Sequence, residues 1–203
     1  MKQSSEFKEK NLEVKAVYNG EKDKISKRLQ KLASREQCEL VFEGTIEQTD
    51  MYFVTQDGSR LKTRVEHNLT THVQRAYAVH YIRKDEATER KSVFSRYTIR
   101  DYDAFDAMFI KSKALTTICV VRKTRTLWFY KNARIHFDVV NDLKDHFVEI
   151  EVEIRTAEEE KESQMLMEKL LGVLKIKKED MVSKSYVNLV VEANLTEVNL
   201  AWI

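Results

Sequence analysis

Residues with alternating apolar and polar side chains occupy most of the middle of the chain. A period of two is typical of β-strands with one apolar and one polar face. It predicts nine strand segments, at about residues 11–18, 38–47, 51–55, 60–66, 76–84, 90–99, 116–130, 132–140 and 146–155. The turn sequences at 56–59 and 131–132 predict tight hairpins. The sheet is therefore expected to be mostly antiparallel.

Three other segments have helical periodicity, at about residues 22–34, 102–112 and 157–192. Gly172 is expected to divide the last of them into two helices. The chain has no proline and only four glycines, so no linker marks a domain boundary. These patterns predict one α+β domain over residues 1–203. Its centre is expected to be a barrel or a strongly curled sheet of eight or nine mostly antiparallel strands, with helices packed outside and a C-terminal helical pair. The sorting of charges described below favours the closed barrel.

One strand segment carries a row of carboxylates. In residues 147–155 the side chains of Glu149, Glu151 and Glu153 share one face, and the opposite face is apolar. Neighbouring carboxylates repel each other unless water or a cation lies against them. Carboxylate oxygens at this spacing suit a divalent cation. Two interpretations remain open from this strand alone, a solvated sheet face and a metal site.

Other strands carry basic side chains on one face, namely Lys62 and Arg64 in one strand and Lys123 and Arg125 in another. Taken singly, each strand fits an antiparallel sheet with one solvated face. Together, the basic and acidic strands are segregated, and a closed barrel would make them face each other across a charged lumen. Lysine and arginine bind phosphate oxygens, and a divalent cation bridges phosphate to carboxylate. The two sets together predict a polyphosphate ligand.

Two more strands sort their polar residues in the same way. Glu13 and Lys15 share a face in the first strand, and Arg134, His136 and Asp138 share a face in the segment 132–140. By this alternation His136 faces the lumen, where a single histidine fits a hydrogen-bonded structural role better than proton transfer.

Composition excludes several classes of partner and setting. The formal net charge is +2 and no block of basic residues occurs, which argues against nucleic acid and anionic membrane as partners. No apolar run is long enough to cross a membrane, and the N-terminus does not resemble a secretory signal. Cys38 and Cys119 lack the spacing of a zinc site or a disulfide framework, so a reducing, cytoplasmic setting is expected.

Short motifs follow one another in a characteristic order along nearly the whole chain. They are NLEVK at 11–15, DMYF at 50–53, RLKTR at 60–64, YIR at 81–83, KSVF at 91–94, VRKTR at 121–125, RIHFD at 134–138, DHFVEIE at 145–151 and KSYVNL at 184–189. In this order they resemble the CYTH, or triphosphate tunnel metalloenzyme, superfamily. That superfamily includes class IV adenylyl cyclases, thiamine triphosphatases and inorganic triphosphatases. The DxYF and SY segments are most similar to the cyclase branch.

The resemblance implies roles for individual residues. It implies Mg²⁺ or Mn²⁺ as cofactor, with Glu13, Asp138, Glu149 and Glu151 as metal ligands. It implies catalytic roles for Lys15, Lys123 and Arg125, and substrate binding by Lys62, Arg64, Arg83, Arg134 and Lys184. The implied partner is a small molecule that contains a triphosphate, such as ATP, thiamine triphosphate or tripolyphosphate. Glu153 is expected at the solvated rim.

Four functions are compatible with these residues. The first is metal-dependent hydrolysis of a triphosphate, and the second is cyclisation of ATP to cyclic AMP and pyrophosphate. Asn11 stands where the family signature has a glutamate, and the lost carboxylate is expected to weaken a second metal site. This substitution motivates a third function, a catalytically weakened module that binds polyphosphate or a nucleotide. The fourth is a barrel whose charged face contacts a protein partner.

Overall fold

The structure, a computed structural model, describes residues 9–18, 20–53, 60–82, 90–111, 117–156 and 158–200. Its strands are β1 (Glu9–Val17), β2 (Leu40–Phe53), β3 (Arg60–Asn68), β4 (Gln74–Ile82), β5 (Arg90–Thr98), β6 (Thr117–Tyr130), β7 (Ala133–Val140) and β8 (His146–Ile154). Its helices are α1 (Lys22–Glu36), α2 (Tyr102–Phe105), α3 (Glu160–Leu174) and α4 (Tyr186–Leu200). A π-helical segment, Asp106–Lys111, continues α2, and a 3₁₀ turn, Lys178–Asp180, precedes α4.

All neighbouring strands are antiparallel, in the order β1-β5-β4-β3-β2-β6-β7-β8. Strand β1 pairs with both β5 and β8, so this order closes on itself into a barrel. The predicted α+β class with an antiparallel sheet is confirmed. The described residues form eight strands because the segments predicted at 38–47 and 51–55 are parts of β2. Gln48 and Asp50 lie within β2 with buried side chains, so no turn separates the two segments.

The outward faces of several strands form the main hydrophobic core with α1 and α3. The strand residues Val14, Ile135 and Ile150 are almost fully buried. They belong to the same apolar cluster as Ile25 of α1 and Met167 of α3. The spacing of Ile25, Leu29 and Leu32 places them on one side of α1, as the sequence predicts. Because this core lies outside the strands, the polar side chains of the same strands are directed into the barrel.

Helix α3 extends through Gly172, so the predicted break at this residue is wrong. A Cβ at Gly172 would meet nothing within 4 Å, and the residue therefore costs only helix propensity, about 1 kcal/mol. Leu170 and Leu174, on either side, are fully buried, and their packing continues the helix. The helix ends at Leu174 because Lys175 adopts a left-handed conformation with a φ of 59°.

Helix α4 packs across one end of the barrel. Its residues Tyr186, Val187 and Val190 form an apolar cluster with the strand residues Tyr52, Val121, Val140 and Phe147. We call this the closed end of the barrel. Helix α3 instead packs beside the barrel, against β8, β1 and α1. The C-terminal part of the chain thus contains two helices, as predicted, with α3 beside the barrel and α4 across its end.

The remaining sequence expectations have mixed outcomes. The turn at 131–132 is confirmed, and Lys131 has a φ of 53°. The turn predicted at 56–59 lies outside the described residues. The helix predicted at 102–112 is present as α2 and the π-helical segment. Among the described helices, none has the length and apolar character needed to span a membrane.

Candidate active site in the barrel lumen

The lumen contains a cavity of about 250 Å³, lined mainly by charged side chains. Among the described residues, the basic ones are Lys15, Lys62, Arg64, Arg75, Lys123, Arg125 and Arg134. The acidic ones are Glu13, Glu43, Glu66, Glu149 and Glu151. A volume of this size holds about eight water molecules at liquid density. The cavity therefore suits a small, strongly charged ligand.

Asp50 orients two of the predicted phosphate-binding side chains. Arg64 donates from Nε and from a terminal nitrogen to the two carboxylate oxygens of Asp50, at 2.5 and 2.6 Å. Lys62 donates to Asp50 Oδ2 at 3.1 Å. Burial would raise the pKa of Asp50, but Arg64 and Lys62 outweigh burial and hold that pKa well below its usual range. Burial and the neighbouring Arg64 lower the pKa of Lys62 to about 7, despite the opposing effect of Asp50.

Asp138 makes an equivalent arrangement on the other side of the lumen. Arg125 donates to its two oxygens at 2.7 and 2.6 Å, and Lys123 Nζ lies 3.7 Å from Oδ2. The hydroxyl of Tyr186 also donates to Oδ2, at 2.9 Å. Asp138, a predicted metal ligand, lies among nitrogen and hydroxyl donors and is not one of the three grouped ligand atoms described below. Its carboxylate orients the predicted catalytic residues Lys123 and Arg125.

Both arrangements share one local pattern. Residues 62–64 and 123–125 each read Lys-Thr-Arg. The arginine of each triplet lies directly opposite an aspartate on the adjacent strand, Arg64 opposite Asp50 and Arg125 opposite Asp138. Strand pairing thus sets both contacts, because residues in register bring their side chains together on the same face. Sequence reasoning missed the role of Asp50, although the repeated triplet offered a signal for it.

The start of α4 and the residues just before it position Lys15 at the closed end. Lys15 Nζ donates to the backbone carbonyl of Lys184 at 3.1 Å and lies 4.1 Å from the centre of the Tyr186 ring. It also lies 3.8 Å from Glu149 Oε1. Lys123 Nζ lies 4.7 Å from the same ring. The Tyr186 ring therefore makes cation–π contacts with both Lys15 and Lys123. Sequence reasoning did not assign this role to it.

The side chain of Lys184 lies elsewhere. It is half-exposed, donates to Glu192 Oε2 at 2.7 Å, and does not line the cavity. Its backbone carbonyl oxygen, in contrast, accepts the hydrogen bond from the predicted site residue Lys15. Of the other predicted substrate contacts, Arg134 lines the cavity with a partly exposed side chain. Arg83 lies outside the described residues.

Three side chains bring possible metal ligands together. His136, Glu149 and Glu151 each offer one ligand atom, and these atoms lie within 4.8 Å of one another. We call these residues the His/Glu cluster. His136 Nδ1 is 3.5 Å from Glu149 Oε2 and 3.8 Å from Glu151 Oε1. Predicted ligand Glu13 is buried and pairs in register with Glu151 across strands β1 and β8.

Basic neighbours keep the two carboxylates of the His/Glu cluster ionised. Arg125 donates to Glu149 at 2.9 Å, and Arg134 lies 3.1 Å from Glu151. Burial opposes ionisation of both carboxylates, but the cations around them hold the pKa of each below its usual value. Burial, assisted by Arg125, lowers the pKa of His136 and thereby favours its neutral imidazole. The donor set, two carboxylates and a neutral imidazole, fits a divalent cation.

Asn11 and Glu153, which pair in register, lie at the opposite end of the barrel from α4. We call this end the mouth. The Asn11 side chain is buried and lines the cavity. Glu153 is about one-third exposed and pairs with Arg155 at 2.8 Å, so it lies at the rim as expected. Neither residue belongs to the His/Glu cluster.

These features define a class of protein, an antiparallel barrel with a charged lumen, an apolar exterior covered by helices, and one end closed by a helix. Residues 9–186 match the model of the CYTH domain, and the chain belongs to the CYTH family.

Solved structures with this fold cover nearly the same residues. The PH1012 protein of Pyrococcus horikoshii OT3 has a TM-score of 0.69 and 23% sequence identity, over 89% of this chain and 99% of that chain. The PH1819 protein of the same organism has a TM-score of 0.66 and 21% identity, over 90% and 98%. A candidate adenylate cyclase from Vibrio parahaemolyticus has a TM-score of 0.64 and 15% identity, over 90% and 97%. At these identities the likeness shows the fold. No curated protein sequence matches this chain.

Proposed function

We propose that the protein is a divalent-metal-dependent hydrolase of a small molecule that carries a triphosphate. One observation carries the proposal: seven basic side chains and the His/Glu cluster line the same cavity. Basic side chains alone would suit any anion. Carboxylates in the same cavity would repel a phosphate chain unless a cation lies between them. Membership of the CYTH family supports the same conclusion.

Glu149 and Glu151 would hold Mg²⁺ or Mn²⁺, with Glu13 beside them. When bound, the metal supplies charge neutralisation and polarises a phosphoryl oxygen. The basic side chains Lys15, Lys62, Arg64, Lys123 and Arg125 bind the phosphate oxygens and stabilise the charge that develops during transfer. Asp50 and Asp138 hold these arginines and lysines in position before substrate arrives. Such prior orientation lowers the barrier because little reorganisation remains.

The closed end favours hydrolysis of the terminal phosphoryl group. Lys15, Lys62 and Lys123 all lie near the aromatic residues of this end, Tyr52 and Tyr186. A triphosphate that enters from the mouth would place its terminal phosphate among these cations and leave its organic group outside. A small nucleophile such as water fits beside a phosphate held in this way. Cyclisation would instead require a ribose hydroxyl beside the α-phosphate.

The test incubates purified protein with tripolyphosphate, ATP or thiamine triphosphate, together with Mg²⁺ or Mn²⁺. Phosphate, pyrophosphate and cyclic AMP are all quantified. We expect metal-dependent release of phosphate with at least one substrate. Equimolar cyclic AMP and pyrophosphate would replace hydrolysis with cyclisation. If no product forms but tripolyphosphate raises the melting temperature, the protein is a binding module.

Matched variants separate the lumen from the surface in the same assay. Lys123→Ala and Glu149→Gln each change a buried lumen residue, whereas Lys161→Ala changes an exposed residue of α3. Both lumen variants are expected to lose activity by about a hundredfold or more, the typical effect of removing a transition-state contact. The Lys161 variant should retain full activity. Unchanged turnover in either lumen variant contradicts the assignment of the site.

A further inference from the structure

We propose that His136 supplies a nitrogen ligand to the cation bound by Glu149 and Glu151, and that the site consequently prefers Mn²⁺ to Mg²⁺. This inference rests on the proposed function, because it concerns the metal of the same site. It adds a ligand that the resemblance to the family does not imply.

The first argument is distance. His136 Nδ1 lies 3.5 Å from an oxygen of Glu149 and 3.8 Å from an oxygen of Glu151. Nitrogen and oxygen ligands bind transition metals at about 2.0–2.2 Å. Two atoms on one ion are therefore separated by no more than about 4.4 Å, twice the longer bond length. Both measured separations fall inside this limit, so a cation fits between the imidazole and each carboxylate.

The second argument is the environment of the nitrogen. Only 2% of the His136 surface is exposed, and within the described part of the chain its Nδ1 makes no hydrogen bond of good geometry; the acceptors that face it are the Glu149 and Glu151 oxygens, at 3.5 and 3.8 Å. A buried polar atom without a partner is unfavourable, and native proteins seldom keep one without a functional reason. The atom is directed at two carboxylates. Coordination to a cation held by these carboxylates would provide the missing partner.

The third argument is strand register. His136 pairs directly with Glu149 across β7 and β8, and both point into the lumen. The pairing continues over seven residues of β7, which makes the position of His136 insensitive to small movements of loops. A ligand on a rigid strand is better defined than one on a loop. The histidine is thus part of a preformed ligand set.

The fourth argument concerns the choice of metal. Mg²⁺ strongly prefers oxygen ligands in octahedral geometry, whereas imidazole suits transition metals. A nitrogen donor in the ligand set of Glu149 and Glu151 therefore shifts preference from Mg²⁺ towards Mn²⁺.

The first measurement needs no substitution. Mn²⁺ is added to the whole protein without any phosphate ligand, and electron spin echo modulation is recorded. We expect modulation from a directly bound ¹⁴N nucleus, and its replacement by a ¹⁵N signal when the protein contains ¹⁵N-labelled histidine. Absence of nitrogen modulation in protein that binds Mn²⁺ would overturn the inference.

Calorimetric titration assigns the nitrogen to one residue. His136→Ala and His136→Gln are expected to weaken Mn²⁺ binding by about tenfold or more, and to change Mg²⁺ binding much less. The exposed His72→Ala is the matched control and should leave both affinities unchanged. Two substitutions are used so that a fold defect in one does not decide the result. Equal loss of Mn²⁺ and Mg²⁺ affinity in a folded variant contradicts the inference.

The phosphate-release assay distinguishes this inference from the proposed function. Hydrolysis by a protein whose bound Mn²⁺ has no nitrogen ligand would leave the proposed function intact and remove His136 from the metal site. Nitrogen-coordinated Mn²⁺ in a protein that neither hydrolyses nor binds a triphosphate would support the ligand assignment and reject the hydrolase.

Discussion

Two buried aspartates determine the positions of the arginines and lysines in the lumen. Asp50 and Asp138 are at most 1% exposed, and each accepts two hydrogen bonds from the guanidinium group opposite it. Removal of one partner from a buried ion pair leaves an uncompensated charge, which is far more damaging than loss of a surface pair. These residues therefore stabilise the fold as well as the site.

Asp50→Ala and Asp138→Ala are each expected to lower the free energy of unfolding by about 3–5 kcal/mol, because an arginine is left buried without its carboxylate. Urea denaturation monitored by circular dichroism measures the change. Glu192→Ala, which removes the half-exposed partner of Lys184, is the control and should change stability by less than about 1 kcal/mol. A loss below about 1 kcal/mol for both aspartate variants contradicts this account.

Lys62 gives substrate binding a dependence on pH. Its pKa of about 7 lies below the usual value for lysine, so the side chain is charged at pH 6 and loses its proton as pH rises through 7. Because an anionic ligand favours the charged form, affinity for tripolyphosphate should be fully present below pH 7 and fall above it, by up to about tenfold per pH unit. Titrations at several pH values measure the dissociation constant.

Lys62→Arg is the matched control for this pH dependence. Arginine remains charged throughout the range. The ratio of the two dissociation constants should therefore increase above pH 7 as wild-type affinity declines. A constant ratio between pH 6 and 9 would exclude Lys62 as the titrating group.

Asn11 offers a direct test of a second metal site. It lies on the same face of β1 as Glu13 and lines the cavity. Asn11→Glu adds a carboxylate near Glu13, which suits a second cation and is unfavourable without one. The variant is expected to bind two Mn²⁺ ions per chain, to show higher hydrolytic activity, and to be less stable than wild type in the absence of metal. Calorimetry measures the stoichiometry; an unchanged stoichiometry would mean that another residue limits the second site.

At the scale of elements, the periodicity of two and of 3.6 was sufficient to predict where most strands and helices lie. Long alternating segments such as β6 and β8 gave the clearest predictions, because several consecutive residues specify each face. The errors occurred where local propensity and packing disagree. Gly172 reads as a helix break, but buried leucines on both sides continue α3. Strand β2 was predicted as two segments, whereas the polar residues Gln48 and Asp50 lie buried within a single strand.

Helix α4 was predicted, but its position against the barrel end was not. Its placement depends on Tyr186, whose ring contacts Phe147 at 5.3 Å between centroids and whose hydroxyl binds Asp138. Neither contact is visible in a pattern of apolar and polar positions, since both join residues far apart in sequence. Tertiary packing of an aromatic side chain cannot be obtained from local periodicity.

Two substitutions at Tyr186 separate its hydroxyl from its ring. Tyr186→Phe removes the hydrogen bond to Asp138 and should lower the free energy of unfolding by about 1.5–3 kcal/mol, the value for a bond to a charged group. Tyr186→Leu also removes the ring beneath Lys15 and Lys123, and should lower stability and tripolyphosphate affinity further. Urea denaturation and calorimetry give both quantities. Equal effects of the two substitutions would show that the ring contributes nothing to cation binding.

For the whole molecule, the segregation of charged residues between strands predicted which side chains line the cavity. It did not predict the contacts that particular residues make there. Lys15, Lys62, Arg64, Lys123, Arg125, Glu13, Glu149 and Glu151 all line one cavity. The roles of Asp50, Asp138 and His136 depend on which side chains meet across neighbouring strands, and therefore on register. Register becomes known only when strand order is known.

The lumen as a whole should bind metal and triphosphate cooperatively. In the structure the carboxylates of the site pair with basic side chains, for example Glu149 with Arg125 and Glu151 with Arg134. Cation binding to the carboxylates would release the arginines to bind phosphate, and phosphate binding would release the carboxylates. Each ligand is therefore expected to raise the affinity for the other by the same factor, about 5- to 150-fold. Paired titrations of Mn²⁺ and a non-hydrolysable triphosphate, corrected for the metal–phosphate complex in solution, measure this factor; independent binding would contradict the exchange of partners.

The closure of one barrel end by α4 has a kinetic consequence. If substrate enters and products leave by the mouth, hydrolysis of a terminal phosphoryl group would leave inorganic phosphate at the closed end, behind the diphosphate product. The diphosphate would then leave first and phosphate second. With this order of release, inorganic phosphate would be the product that competes with substrate for the free protein. Release of phosphate from the lysines at the closed end would then limit the turnover rate.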